Sequence, residues 1–254
     1  YLIYFMDKLD YPDEAKTFFY ELNIFFAENK DYKNRIIEII KDFNNNPSDK
    51  NKENILRKLD ILARDMGTSP YSIYLIFFMY CSKRLLEKFK REEIPIDIYW
   101  NTMLELKCKL ITTYDVYGIW GSFVGDWFFR FFNLKRFGIG RLQYEQVPFP
   151  YNYYSKGEYL IEKGDRVYNI HIPSSGPLKK EYVMDSFKSA YRFYKDELKD
   201  NPMFIVCDTW LIYPDNRRFF PSDSNIIDFM NLFDIIDIKH DKKPSPSRRV
   251  FGKD

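Results

Sequence analysis

The stretch DRVYNIHIPSSGPLKKEYVMDSFKSAYRFYKDEL, residues 165–198, decides the fold. Its first part alternates. Val167, Asn169 and His171 fall on one side of an extended chain and Tyr168, Ile170 and Ile172 on the other, which predicts a strand over Val167–Ile172. PSSGPL breaks that pattern. From about Lys179 to Leu198 the period becomes helical, with Val183, Phe187, Ala190, Tyr191, Tyr194 and Leu198 as the apolar stripe. FIVCDTWLIY, residues 204–213, then reads as a nearly continuous apolar strand of the kind buried between helices. Strand, glycine-containing loop, helix and apolar strand in that order are an α/β signature. The loop then stands at the carboxyl edge of a sheet, where open α/β folds bind ligands.

The loop carries the most chemistry. Gly176 lets the backbone approach a ligand closely, and Ser174 and Ser175 supply hydroxyls or cap the next turn. Amides around Leu178 and the helix start, with the helix dipole and the charges of Lys179 and Lys180, suit a phosphate or pyrophosphate. The competing reading is a capped helix entry with ordinary surface lysines. The spacing is not that of a P-loop, and RFGIGRL is not a dinucleotide fingerprint. His171, just before the loop, has the chemistry to take a proton from an amine near pH 7, or else to tie the strand end to a neighbour.

Two acids and a phenol complete the candidate set. Arg141, Gln143 and Glu145 share a face of a strand read through RFGIGRLQYEQV, residues 136–147, so Glu145 either orients a substrate amine or pairs with Arg141. Asp208 interrupts the apolar run 204–213, where an unpaired charge is costly and a cleft is one remedy. Tyr213 follows at its end, placed to protonate a departing thiolate. Cys207 sits among apolar neighbours without a visible base and is a poor nucleophile.

Around this core, NYYSKGEYLIEKG predicts a short strand and turn, Asn225–Phe233 a short helix, and Ile235, Ile236 and Ile238 a further strand. The polar, basic tail 239–254 reads as poorly ordered. Residues 1 to about 133 read as helices: Asp13–Lys30, Tyr32–Phe43, a helix around Leu56–Met66 closed by Gly67, one opened by Pro70, and Ile96–Thr112. GIWGSFVGDWFFRFFN is read as helical despite its glycines, with Asp126 and Arg130 four apart as a pair. The boundary is placed between 115 and 135, giving a helical N-terminal domain 1–117 and a C-terminal domain 118–254 whose end reads as incomplete.

Composition narrows the function. With 39 basic and 37 acidic residues among 254, nothing favours a nucleic-acid partner. Two histidines and three scattered cysteines (Cys81, Cys108 and Cys207) give no metal-ligand spacing, and the cysteines suit a reducing, cytoplasmic compartment. The 17 uncharged residues between Asp65 and Lys83 are short for a membrane span and read as a buried helix. Aromatic residues reach 19%, which suits a rich core or an aromatic ligand groove.

G125-D-W-F-F-R130, G140-R-L-Q-Y-E145, H171-I-P-S-S-G-P-L178 and C207-D-T-W-L211, with Ser186, Ala190 and R249-V-F-G252, carry a resemblance. The chain resembles bacterial acyltransferase-domain proteins that join a helical N-terminal domain to a GNAT-like C-terminal domain. The resemblance implies an α+β or α/β fold whose mixed central sheet is splayed to admit acetyl-CoA or another acyl-CoA. It implies Ser174–Leu178 as the phosphate loop, with Lys179 and Lys180 beside it and no metal. It also implies N-acyltransfer to a small-molecule or peptide amine by direct attack in a ternary complex, for which the residues read above offer His171 or Glu145 as base, Asp208 as a further acid–base candidate and Tyr213 as a weak acid. The superfamily's usual loop pattern, Arg or Gln followed by xxGxG or xxGxA, is absent here. A non-catalytic binding or regulatory protein on the same fold is therefore the second reading.

Overall fold

The computed structural model describes residues 1–238, and the contacts divide the chain into two compact units, Tyr1–Lys135 and the remainder from Arg136. The R249-V-F-G252 motif and the basic tail lie outside the described residues.

The first unit is helical: α1 (Leu2–Lys8), α2 (Asp13–Glu28), α3 (Lys30–Asn45), α4 (Lys52–Asp65), α5 (Pro70–Arg91), α6 (Ile96–Tyr117) and the single turn α7 (Phe129–Phe132). α5 is its axis. Ser69 accepts the Tyr71 amide at 3.2 Å, Pro70 takes the first helical position, and Lys88, Lys90 and Arg91 meet the negative end of the dipole. The uncharged run lies inside it, with Ile73, Leu75, Ile76, Phe77, Phe78 and Met79 all fully buried. Among the described residues no helix is long and apolar enough to cross a membrane.

The glycine-rich stretch 118–125 is not helical as expected. Gly118 ends α6 at φ +65°, and Gly121 packs on α5 so closely that a Cβ would lie 2.4 Å from the Tyr71 carbonyl carbon. Only a 3-10 turn (Gly125–Phe128) and α7 follow. Their phenylalanines join the core: Phe43 meets Phe77, Phe78, Phe129 and Phe132 at centroid distances of 5.3–5.8 Å. Asp126 and Arg130 do not pair as an intrahelical couple, because Arg130 lies 3.6 Å from Asp49 and Asp126 4.0 Å from Lys52. Much of the aromatic excess is packing of this kind.

The second unit holds β1 (Arg136–Ile139), β2 (Leu142–Pro148), β3 (Tyr153–Lys156), β4 (Tyr159–Glu162), β5 (Arg166–His171) and β6 (Ile205–Val206). Its helices are α8 (Lys180–Phe193), α9 (Lys195–Leu198) and α10 (Asn225–Met230). The sheet order is β1-β2-β5-β6, antiparallel except for the parallel pair β5/β6, and β3/β4 form a separate hairpin. This is the expected mixed, open sheet.

Four local expectations change. The single strand read through 136–147 is a hairpin turning at Gly140 and Arg141. Gly140 has φ +62°, and a Cβ on it would stand 3.1 Å from Ser186 of α8. The long helix breaks after Phe193 and resumes for one turn. The apolar run 204–213 forms a strand over Ile205–Val206 only, since Thr209 caps a 3-10 turn by accepting the Leu211 amide at 3.2 Å. Ile235, Ile236 and Ile238 form no strand and stay 43–44% exposed.

One sheet face carries Phe137, Ile139, Leu142, Tyr144, Tyr168 and Ile170 and packs on α8, with Tyr168 against Tyr194 just beyond that helix. Ser186 fastens it: its hydroxyl donates to the Ile139 carbonyl at 2.5 Å, accepts the Leu142 amide at 3.3 Å and lies 2.8 Å from the Tyr144 hydroxyl. The hairpin tip is thereby fixed against the helix that follows the loop.

Candidate active site

The opposite face of the sheet is polar toward the His171 end of β5, with Val147 and Val167 beyond it. Antiparallel register sets Arg136 across from Glu145, Glu145 from Asn169, and Gln143 from His171, so four of these side chains form one contiguous cluster. Arg136 donates to Glu145 Oε2 through Nε at 2.9 Å and Nη2 at 2.6 Å, with the two residues 4% and 2% exposed. The same Oε2 lies 3.2 Å from His171 Nε2. Asn169 Nδ2 stands 3.4 Å from that nitrogen. A carboxylate facing a guanidinium accepts and does not donate, so the proton between Glu145 and His171 belongs to Nε2. Nδ1 is then the basic nitrogen of the neutral ring.

Of the two readings of Glu145, the pairing with Arg141 is not the one formed. Glu145 takes its cation from the neighbouring strand because the hairpin turn carries Arg141 elsewhere. Buried behind His171, Glu145 orients the imidazole and does not face solvent.

Arg141 holds the loop. It donates through Nε to the Pro177 carbonyl and through Nη1 to the Pro173 carbonyl, each at 3.0 Å, and through Nη2 to the Gly176 carbonyl at 2.5 Å. Ser175 Oγ lies 3.4 Å from Nη1. In a trans peptide the N–H points opposite to the C=O, so carbonyls turned toward Arg141 aim the amides of Ser174 and Leu178 away from it. Gly176 makes this path possible with φ +140°, a conformation that only glycine adopts readily. Among the described residues, none accepts from the amides of Ser174, Ser175, Gly176, Leu178 or Lys179. Ser174, Ser175, Lys179 and Lys180 are exposed, and Lys179 Nζ lies 5.6 Å from the Tyr182 ring centroid. Leu178 is 8% exposed, so its side chain anchors the loop and only its backbone is available.

Between β5 and β6 the ladder is short. Tyr168 pairs with Ile205 and Asn169 with Val206, and there the pairing stops while β5 runs on to His171. The next contact is weaker, Cys207 Sγ at 3.8 Å from the Ile170 carbonyl. Burial, helped by the charge of Asp208, pushes that thiol up to about 12, so it is not a thiolate nucleophile near neutral pH. A cavity of about 1070 Å³ opens at this point, and its lining includes Asn169, Val206, Cys207, Asp208, Trp210 and Tyr213. Asp208 is exposed there, which is how the chain accommodates a charge inside an apolar run.

The proposed residues therefore fall in three adjoining places. His171 and Glu145 share the polar cluster, Asp208 and Tyr213 line the cavity, and residues 174–180 form the loop outside that lining. Asn169 belongs to both the cluster and the cavity. The sequence does not single out Arg136, and it offers Arg141 only as a partner for Glu145 and Asn169 only as a position on the His171 face of the strand. Reading Gly140-Arg141 as a two-residue hairpin turn would have placed Arg136 opposite Glu145.

A mixed sheet whose parallel pair parts beside a histidine, with open amides at the end of the longer strand, is GNAT-like architecture. The match to the GNAT-like C-terminal domain covers residues 137–254, and the N-acyltransferase N-terminal domain matches residues 1–134. The chain belongs to this N-acyltransferase family. Among solved structures it is similar to an acyltransferase in complex with decanoyl-CoA and teicoplanin (TM-score 0.70, 16% identity, 97% of this chain and 74% of that one). A second is an acyltransferase variant in complex with octanoyl-CoA (TM-score 0.67, 17% identity, 93% and 69%). A third is an acyltransferase in complex with decanoyl-CoA (TM-score 0.60, 18% identity, 99% and 87%). No curated protein sequence matches the chain.

Proposed function

We propose that the protein is an acyl-CoA-dependent N-acyltransferase that moves an acyl group to a small-molecule or peptide amine. The observation that supports this most is the loop after β5, whose carbonyls are gathered by Arg141 so that the Ser174 and Leu178 amides turn away from it, and whose amides have no acceptor among the described residues. Such a set of N–H groups at the start of a helix, beside Lys179 and Lys180, fits the diphosphate of coenzyme A. The fatty-acyl-CoA complexes of the similar structures agree with an acyl-CoA donor.

His171 Nδ1 takes the proton of the incoming ammonium, with Glu145 holding the ring from Nε2 and Arg136 holding Glu145. The free amine attacks the thioester carbon directly: a C–N bond forms, the C–S bond breaks, and the sulfur takes a proton. Tyr213, at the cavity wall, is the proton donor in this reading. Three free cysteines suit a reducing, cytoplasmic setting.

The test is incubation of the full chain with decanoyl-CoA and a panel of amines. The reading predicts that free thiol appears together with an amide product, and that both fall when His171 is replaced by glutamine. Thiol release with no amide from any amine contradicts it.

A further inference from the structure

The cavity beside the parted strands is walled largely by apolar groups. Phe149, Ile161 and Val167 form a buried cluster, Val147, Phe204 and Val206 pack against it, and all of these but Val167 line the space. Asp208, Asp234 and Asp237 line it too, but each is exposed and each has partners, so none offers a bare charge to a ligand. The loop 174–180 lies outside the lining, and a space of about 1070 Å³ holds far more than an acetyl group. Walls of this kind gain most from an apolar group that displaces water.

One wall is held differently from the rest. Residues 232–238 all line the cavity, and the segment is irregular. Phe233 donates its amide to the Met230 carbonyl at 3.3 Å, and beyond it no backbone hydrogen bond joins 234–238 to any described residue. Side chains tie it down instead. Asp234 accepts from the Tyr154 hydroxyl at 2.5 Å and from Lys156 at 2.6 Å, and Asp237 accepts from the Tyr151 hydroxyl at 2.9 Å. The Lys156 and Asp234 side chains are 69% and 50% exposed, so water competes for the pair and it parts at small cost. A segment without backbone bonds, held by such ties, is one that opens locally while the fold stays intact. Its isoleucines, Ile235, Ile236 and Ile238, stand half in water, and an apolar group inside the cavity gives them something better to pack on.

We propose that this cavity binds an uncharged apolar substrate group, an alkyl or aryl chain, and that residues 232–238 are the strap that closes over it, latched to the β3/β4 hairpin through Asp234. The inference rests on the transferase reading for the word substrate. Two sources supply this chemistry, the acyl chain of the donor and the apolar body of the acceptor, and the experiment separates them.

Cys207 lines the cavity and reports on it, whereas Cys81 and Cys108 are buried in the helical unit. The full chain is treated with methyl methanethiosulfonate, and modification of Cys207 is followed by peptide mass spectrometry. Octanol, a neutral alkyl probe, is expected to slow labelling at least about threefold by occupying the site. Lys156→Met removes an exposed cation outside the lining and is expected to speed labelling about threefold, the scale of one exposed ion pair. Asp234→Ala loses the tyrosine bond as well and is expected to speed it about tenfold. Decanoyl-CoA that protects Cys207 better than acetyl-CoA makes the acyl chain the occupant. Equal protection by the two, with octanol still effective, assigns the site to the acceptor. Octanol without effect overturns the apolar site, and two variants that melt normally and label at the parent rate overturn the strap. Octanol protection in a protein that refuses every acyl-CoA overturns the transferase reading and leaves the apolar site standing.

Discussion

Replacing Arg141 by alanine removes the donor that three loop carbonyls share, those of Pro173, Gly176 and Pro177. A hydrogen bond to a charged group contributes about 1.5–3 kcal/mol when sheltered, but Arg141 is half-exposed and water replaces part of each loss. Taking about 0.5–1 kcal/mol per bond, the loop loses about 1.5–3 kcal/mol of its preference for the shape that turns the Ser174 and Leu178 amides outward. At a factor of ten per 1.4 kcal/mol, affinity for coenzyme A falls about 10- to 150-fold. Arg141→Lys restores at most one contact, because an ammonium does not span three carbonyls as the planar fork does. Calorimetric titration with coenzyme A measures the change, and turnover at saturating acyl-CoA separates positioning from chemistry, since Arg141 touches no reacting group. A dissociation constant within twofold of the parent, in an alanine variant that melts normally, refutes the clamp and the pre-set loop together.

Gly176→Val meets open space but forces φ +140° on a branched residue, a strain of about 1–3 kcal/mol. Coenzyme A binding is expected to weaken about tenfold with little change in melting temperature, and unchanged binding contradicts the loop assignment. Arg136→Met strands the buried Glu145 carboxylate and is expected to cost about 3–5 kcal/mol in denaturant unfolding, most of it recovered by adding Glu145→Gln. A loss under about 1 kcal/mol means the pair is not buried in solution. His171→Gln is expected to lower turnover by two orders of magnitude or more, about the share of a general base, while leaving coenzyme A affinity near the parent value. Equal losses in both remove His171 as the base. For Cys207, a thiol raised from 9.0 to about 12 stays protonated in the folded state after the unfolded chain has released its proton. Fewer protons are then bound unfolded than folded, so Cys207's share of stability falls as pH rises from about 9 to 12. Iodoacetamide at pH 8 is expected to label Cys207 slowly in the native protein and readily in urea, and rapid native labelling at Cys207 contradicts the raised thiol.

What the sequence made legible was periodicity. Val167–His171 alternates cleanly and is a strand, and the stripe Val183, Ala190, Tyr194 carries a helix onto the sheet. Boundaries set by single residues were harder to see. Gly140 looks like one more position in an alternating run until its positive φ and its contact with Ser186 show that the chain must turn there. The run 204–213 is apolar enough for a long strand, yet Thr209 caps a turn and ends it. At the site, His171, Glu145 and the loop were visible as residue types in suggestive places. Their organisers were not, because Arg136 and Arg141 act across a register and a turn that no local window contains.

The account depends on outward-facing peptide N–H groups at the end of β5 gripping a diphosphate. Amide hydrogen exchange across 174–180, followed by NMR with and without coenzyme A, tests this most directly. The account predicts that Ser174, Ser175, Gly176, Leu178 and Lys179 exchange fast in the free protein and slow together when coenzyme A is added. Coenzyme A that binds while those amides keep their free-state rates contradicts it.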